Sequence, residues 1–167
     1  MNAIYKVMLP TLIGSAMLVS AASNASAETL KQKIVGTWTV VSVVNDNKGN
    51  KTEPFGPHPI GYFIFDRTGH VAVQIMKSDI PKFASNNKNT GTDAENKAVV
   101  QGSITYFGTY KVDEKDHSAS MHYIGSSYPN WNETDQKRSI AITGDQMSWT
   151  DQNAIWGNGV VMLKRAK

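Results

Sequence analysis

Four side chains in this sequence have the chemistry to grip or transform a small molecule: Arg138, Gln136, His122 and His58. Arg138 lies in the run "RSIAI", which reads as a strand, and side chains two apart on a strand share a face. It therefore stands with Ile140 and Ile142, while Lys137, Ser139, Ala141 and Thr143 take the opposite side. A guanidinium on an apolar face is costly unless it is bonded. Two partners satisfy it: backbone carbonyls of the adjacent "SSYPNW" corner (126–131), or an anionic or carbonyl group of a ligand. His122 alternates with Ser118, Ser120 and Ile124, a mixture that alternation alone does not assign to inside or outside. His58 sits in "EPFGPHPIG" (53–61), where three prolines and two glycines specify a rigid corner that delivers Phe55 and His58 to fixed places. A histidine beside Arg138 in a dry interior could act as base and electrophile.

Known catalytic signatures are missing: no GxSxG elbow, no HExxH, no P-loop and no glycine fingerprint of a dinucleotide fold. His117 and His122 are five apart on a strand and point to opposite faces, which spoils them as joint metal ligands. The absence of cysteine excludes disulfides, thiolate metal sites, a cysteine nucleophile and a lipidated N-terminal cysteine. No metal and no cofactor is implied. The lysines are scattered and the net charge is only +3, which argues against a nucleic-acid partner.

Positioning these groups falls to a chain that begins with a segment of different character. Residues 1–27 have the three parts of a secretory signal: Lys6 for the positive start, an apolar stretch from Val7 to Val19, and Ala25-Ser26-Ala27 as a small-x-small cleavage site. Pro10 and Gly14 interrupt a run already short for a bilayer span, so a stable membrane anchor is not expected. Removing 27 of the 167 residues leaves 140, loses only Lys6 and lowers the net charge from +3 to +2. That is one domain, 28–167, expected in the periplasm or secreted.

The rest of the chain is a series of short β-type runs: "GTWTVVSVVN", "PIGYFIFD", "HVAVQIM", "ITYFGTYKVD", "SASMHYIGS", "RSIAITG", "QMSWTD" and "GVVMLKRA". "RTG" makes a hairpin of the second and third, and "EKDH", "GD" and "QNAIWGN" join later ones. Eight runs with many short connections predict an antiparallel up-and-down meander closed into a barrel. "KSDIPKFASNNKNTG" (77–91) reads as a long polar loop, a candidate mobile lid. In "TDAENKAVVQG" the Thr92–Glu95 capping box predicts one short helix.

The residues now carry a resemblance. "GTW" at 36–38 resembles the glycine-x-tryptophan opening of lipocalins and the wider calycin group. "PFGPHPIG" at 54–61, "GTYKVD" at 108–113, His122, "PNW" at 129–131, Thr134, Gln136 and Arg138, in that order, are similar to the pattern of bacterial and fungal lipocalin-like domains. The resemblance covers nearly all of 28–167 and departs from its relatives at the asparagine-rich loop and the signal segment. It implies a calyx with one closed end, where Trp38 is covered by a basic residue of the last strand, Arg165, and one open mouth that holds a small, largely apolar molecule.

On that basis the expected function is binding of a small hydrophobic molecule that carries a polar or anionic group. Phe63, Phe65, Tyr106, Tyr110, Trp131, Met147 and Trp149 are the candidate wall, and Arg138, His122, Gln136 and His58 the candidate polar contacts. Two other functions fit the same residues. One is an isomerase, cyclase or hydrolase acting on a lipid or polyketide-like substrate through His122 and Arg138. The other is a periplasmic protein inhibitor that presents the 77–91 loop.

Overall fold

The computed structural model describes residues 27–151 and 158–167. All of the signal-like segment except Ala27, and the "QNAIWGN" connection except Asn158, lie outside the described residues. In chain order the elements are α1 (Leu30–Ile34), β1 (Gly36–Asn47), β2 (Asn50–Thr52), β3 (Ile60–Phe65), β4 (His70–Met76), α2 (Asp93–Gly102), β5 (Ser103–Asp113), β6 (Ser118–Ser126), β7 (Thr134–Thr143), β8 (Gln146–Asp151) and β9 (Asn158–Arg165). Strand β1 pairs with β3, each later strand pairs with the next, and β9 returns to β1, every pairing being antiparallel. The result is the expected eight-stranded up-and-down barrel. Strand β2 lies outside it, as a short arm hairpinned onto the end of β1 through the "DNKGNK" turn, where the Asp46 carboxylate accepts from the Gly49 N–H at 2.7 Å.

Alternation decides what faces in. Val71, Val73 and Ile75 of β4 are buried while His70, Ala72 and Gln74 are exposed, and Phe63, Phe65, Met121, Tyr123, Met147, Trp149 and Leu163 join the same core from the other strands. Two motif glycines are required by close approach. A Cβ on Gly61 would come within 2.0 Å of the Gln74 carbonyl oxygen, and one on Gly108 within 1.9 Å of that of His122. Only hydrogen fits there, which gives "PHPIG" and "GTYKVD" a physical reason for their glycines. At Gly108 the β5–β6 register also shifts, as expected at a bulge.

One end of the barrel is plugged. Helix α1, absent from the sequence reading, is nucleated by a capping box in which Thr29 and Gln32 bond reciprocally, and it buries Leu30 and Ile34 in the core. Glu114, in the β5–β6 turn, accepts from the N–H groups of Leu30 and Lys31, both at 2.8 Å. The Lys31 N–H, more than that of Leu30, holds the Glu114 carboxyl below the usual glutamate value against some desolvation. Below α1, fully buried Trp38 donates its indole N–H to the Ile34 carbonyl at 2.8 Å. The Arg165 guanidinium lies 4.2 Å from the Trp38 ring centroid and donates to the carbonyls of Val35 (3.0 Å) and Lys33 (2.7 Å).

Candidate functional site

The opposite strand ends enclose a cavity of about 580 Å³. Its wall is largely apolar: Val43 and Val161 from β1 and β9, Ile75 from β4, Ile104 and Tyr106 from β5, Trp149 from β8, Trp131 from the 129–131 turn, and Phe55 from the proline corner. The lip carries exposed Thr52, Val100 and Gln101. Val100 is 74% exposed although it is aliphatic, and it belongs to the last turn of α2.

The "PNW" corner exists to aim one ring. Pro129–Trp131 form a single 3-10 turn, closed by Trp131 N–H to the Tyr128 carbonyl and Asn132 N–H to that of Pro129, both 3.0 Å. Thr134 donates its hydroxyl to the Trp131 carbonyl at 2.7 Å, and Glu133, with φ 57°, turns the chain back into β7 while its N–H bonds the Tyr123 carbonyl. Trp131 is thereby wedged among Tyr106, Tyr123 and Tyr128, with ring centroids 5.6 to 5.7 Å away, and Tyr106 and Tyr123 stand 4.7 Å apart. These are ordinary aromatic packing distances, so this side of the mouth is a preformed aromatic wall.

Beside it lies a polar pole. Arg138 faces inward with Ile140 and Ile142, as alternation required, and its side chain is only 9% exposed. Its acceptors within the chain are not the corner carbonyls read from the sequence. The guanidinium pairs with the Asp151 carboxylate (Nη2 to Oδ2, 3.0 Å), donates through Nη2 to Gln136 Oε1, and donates through Nη1 to the Lys137 carbonyl at 3.1 Å. The carbonyls of the Pro129 corner are not involved. Tyr123 donates its hydroxyl to the same Gln136 oxygen at 3.4 Å. Burial pushes the Tyr123 hydroxyl up to about 12, partly offset by the nearby Arg138 charge. Burial, reinforced by Tyr123, raises the Tyr106 hydroxyl well above the usual tyrosine value. Both therefore stay neutral donors.

Of the residues expected at the site, Arg138, Tyr106, Trp131 and Trp149 line the cavity, and Gln136 stands behind Arg138 as its acceptor. Six others are placed elsewhere. Phe63, Phe65, Tyr110 and Met147 are packed core and do not line the cavity. Phe65 pairs with Gly36 at the plugged end, and Tyr110 donates its hydroxyl to the Asp66 carbonyl at 2.7 Å. His58 is exposed in its corner. His122 is on the outer face of β6 because Ala119, Met121 and Tyr123 take the inner one. There it meets two exposed carboxylates, Asp135 at 3.0 Å and Glu133 at 3.5 Å. The His122–Arg138 pair needed for the base-and-electrophile reading is not formed. The 77–91 loop folds back on α2 instead of over the mouth: Phe83 packs on Gly91, Ile80 on Gly102, and the Ala84 N–H bonds Glu95 at 2.7 Å. Helix α2 is where the Thr92–Glu95 capping box placed it.

The main omission in the sequence reading is Asp151. It stands two residues beyond Trp149 and four beyond Met147 in "QMSWTD", so alternation puts its carboxylate on the inward face. Ser139 pairs with Thr150, and the same antiparallel register places Arg138 directly opposite Asp151 across the β7–β8 seam.

A closed antiparallel barrel with one end plugged by a tryptophan under an arginine, and a cavity at the other, defines the calycin class. The sequence model of the family described as Lipocalin-like domain matches residues 35–163, and the chain belongs to that family. No curated protein matches the chain.

Proposed function

We propose that the protein binds a small, largely hydrophobic molecule in the barrel cavity and does so outside the cytoplasm. The observation that carries this reading is the cavity of about 580 Å³ lined largely by aromatic and aliphatic side chains, with one charged pair, Arg138 and Asp151, in its wall. That size and composition are typical of preformed ligand sites. The aromatic wall is rigid before any ligand arrives, which lowers the ordering cost of binding. The signal-like segment 1–27 supports the location.

Extraction of purified protein with organic solvent, followed by mass spectrometry, tests the binding reading directly. A stoichiometric small molecule absent from a control protein is expected. Titration with an environment-sensitive apolar dye, followed through Trp131 and Trp149 emission, gives a second readout. An empty extract combined with no saturable dye binding would sink the reading. Fusion of residues 1–27 to a reporter active only after export tests the location.

A further inference from the structure

The polar pole of the cavity specifies more than a hydrophobic ligand with some polar group. Of the described lining residues, Arg138 and Asp151 alone carry formal charges, and they neutralise each other at 3.0 Å. Tyr106, which lines the cavity, and Tyr123, packed against it, are held in their neutral form by burial. An anionic ligand entering the cavity would bring an uncompensated charge into a poorly hydrated site next to Asp151, which is unfavourable without a free cation. Hydrogen-bond donors, however, remain. A guanidinium has five N–H groups. Nη2 donates to Gln136 and lies 3.0 Å from Asp151 Oδ2, and one N–H on Nη1 is used by Lys137. The Nε–H and the second Nη1–H have no acceptor among the described residues. They belong to a side chain 9% exposed that lines the cavity. A neutral carbonyl oxygen can accept from such a donor without adding charge.

We propose, on the basis of the calyx-binding reading above, that the cavity selects uncharged carbonyl-bearing ligands such as ketones, lactones or amides with an apolar body, and discriminates against carboxylates. Arg138 presents the donors and Asp151 cancels the charge that would otherwise attract an anion. Asp151 is thus a specificity residue that acts through Arg138.

The test uses three naphthalene probes with matched bodies: 2-ethylnaphthalene, 2-acetylnaphthalene and 2-naphthoate, titrated into the wild-type protein at neutral pH by quenching of tryptophan emission. The ketone should bind about tenfold or more tightly than the hydrocarbon, the increment of one good hydrogen bond to a charged donor, and the carboxylate should bind weakest. Asp151→Asn should reverse the last rank, raising naphthoate affinity by about tenfold or more while changing ketone affinity less than about threefold. Tightest binding of naphthoate to the wild-type protein would overturn the proposal, because Arg138 would then be an anion receptor. Equal affinities for ketone and hydrocarbon would overturn it as well. Loss of binding for all three probes would remove the calyx-binding reading itself, a different outcome from a wrong order among bound probes.

Discussion

Each end of this barrel has a tryptophan and an arginine, and the two pairs differ in what surrounds them. At the plugged end Arg165 covers Trp38 and donates to two backbone carbonyls, so ring and cation are committed to the fold. At the open end Trp131 is held in an aromatic wall and Arg138, which lines the cavity, is tied to the side chains of Gln136 and Asp151 as well as to the Lys137 carbonyl. The carboxylate near Arg165, Asp145, is exposed and 3.8 Å away, whereas Asp151 is within 3.0 Å of the buried Arg138 and cancels its charge. One end is therefore structure, and the other is structure arranged around a vacancy.

The sharpest way to break this comparison is at the two tryptophans. Trp38→Ala should cost about 3 to 5 kcal/mol in urea unfolding, the usual loss for a fully buried large aromatic. Trp131→Ala, at the edge of an existing cavity, should cost about 1 kcal/mol and instead weaken dye binding. Equal costs would remove the distinction between the ends.

The arginine at the mouth comes next. Arg138→Leu deprives Asp151 and the Gln136 carbonyl of their shared donor and should lower stability by about 1 to 3 kcal/mol. The double variant Arg138→Met with Asp151→Leu should recover most of that loss, since a buried ion pair is often replaceable by apolar side chains. A double variant less stable than the single one would mean that the pair contributes more than mutual neutralisation.

A smaller effect separates the ends by pH. The folded Glu114 carboxyl titrates below its ordinary value of 4.5 because it accepts from the first turn of α1. Its contribution is present in full above that value and is lost as the pH falls through the lower folded one. Wild type should thus exceed Glu114→Gln in stability at neutral pH, and the difference should shrink on acidification below about pH 4.5. A gap independent of pH would exclude the carboxylate as its source. Smallest of all, His122→Ala should leave stability within about 0.5 kcal/mol and dye affinity unchanged, because its carboxylate contacts are solvent-exposed.

How far the sequence could be read followed from the kind of contrast each strand carries. All eight barrel strands were legible because turn residues bound each run, and the direction of Arg138 was legible because its two flanking isoleucines mark one face. Strand β7 nonetheless begins at Thr134, four residues before the "RSIAITG" run, because Thr134 and Gln136 continue the inward face with polar side chains. His122 was not legible. Its strand offers Met121 and Tyr123 on one side and Ile124 on the other, so hydrophobicity does not separate the faces until the β5 and β7 registers are known. Helix α1 was hidden by its five-residue length, although Thr29 and Gln32 carry the same capping signal that revealed α2. The Arg138–Asp151 pair needed a strand pairing, and spacing within one strand does not provide one.

Closure through β1 and β9 also has a kinetic consequence. Most other seams of the barrel join neighbouring strands through short turns, but Trp38 meets Arg165 from 127 positions away. Bringing distant segments together carries a chain-entropy cost that rises with loop length, so the hairpins should assemble first and the closing seam last. Contacts formed after the transition state govern the rate of unfolding and leave the rate of folding nearly unchanged. Leu163→Ala, on the β9 side of that seam, should therefore accelerate unfolding in stopped-flow experiments with little effect on refolding, and a mainly slowed refolding limb would place closure early. The seam that completes the calyx is, on this view, also its release catch, setting how long the barrel stays closed once formed.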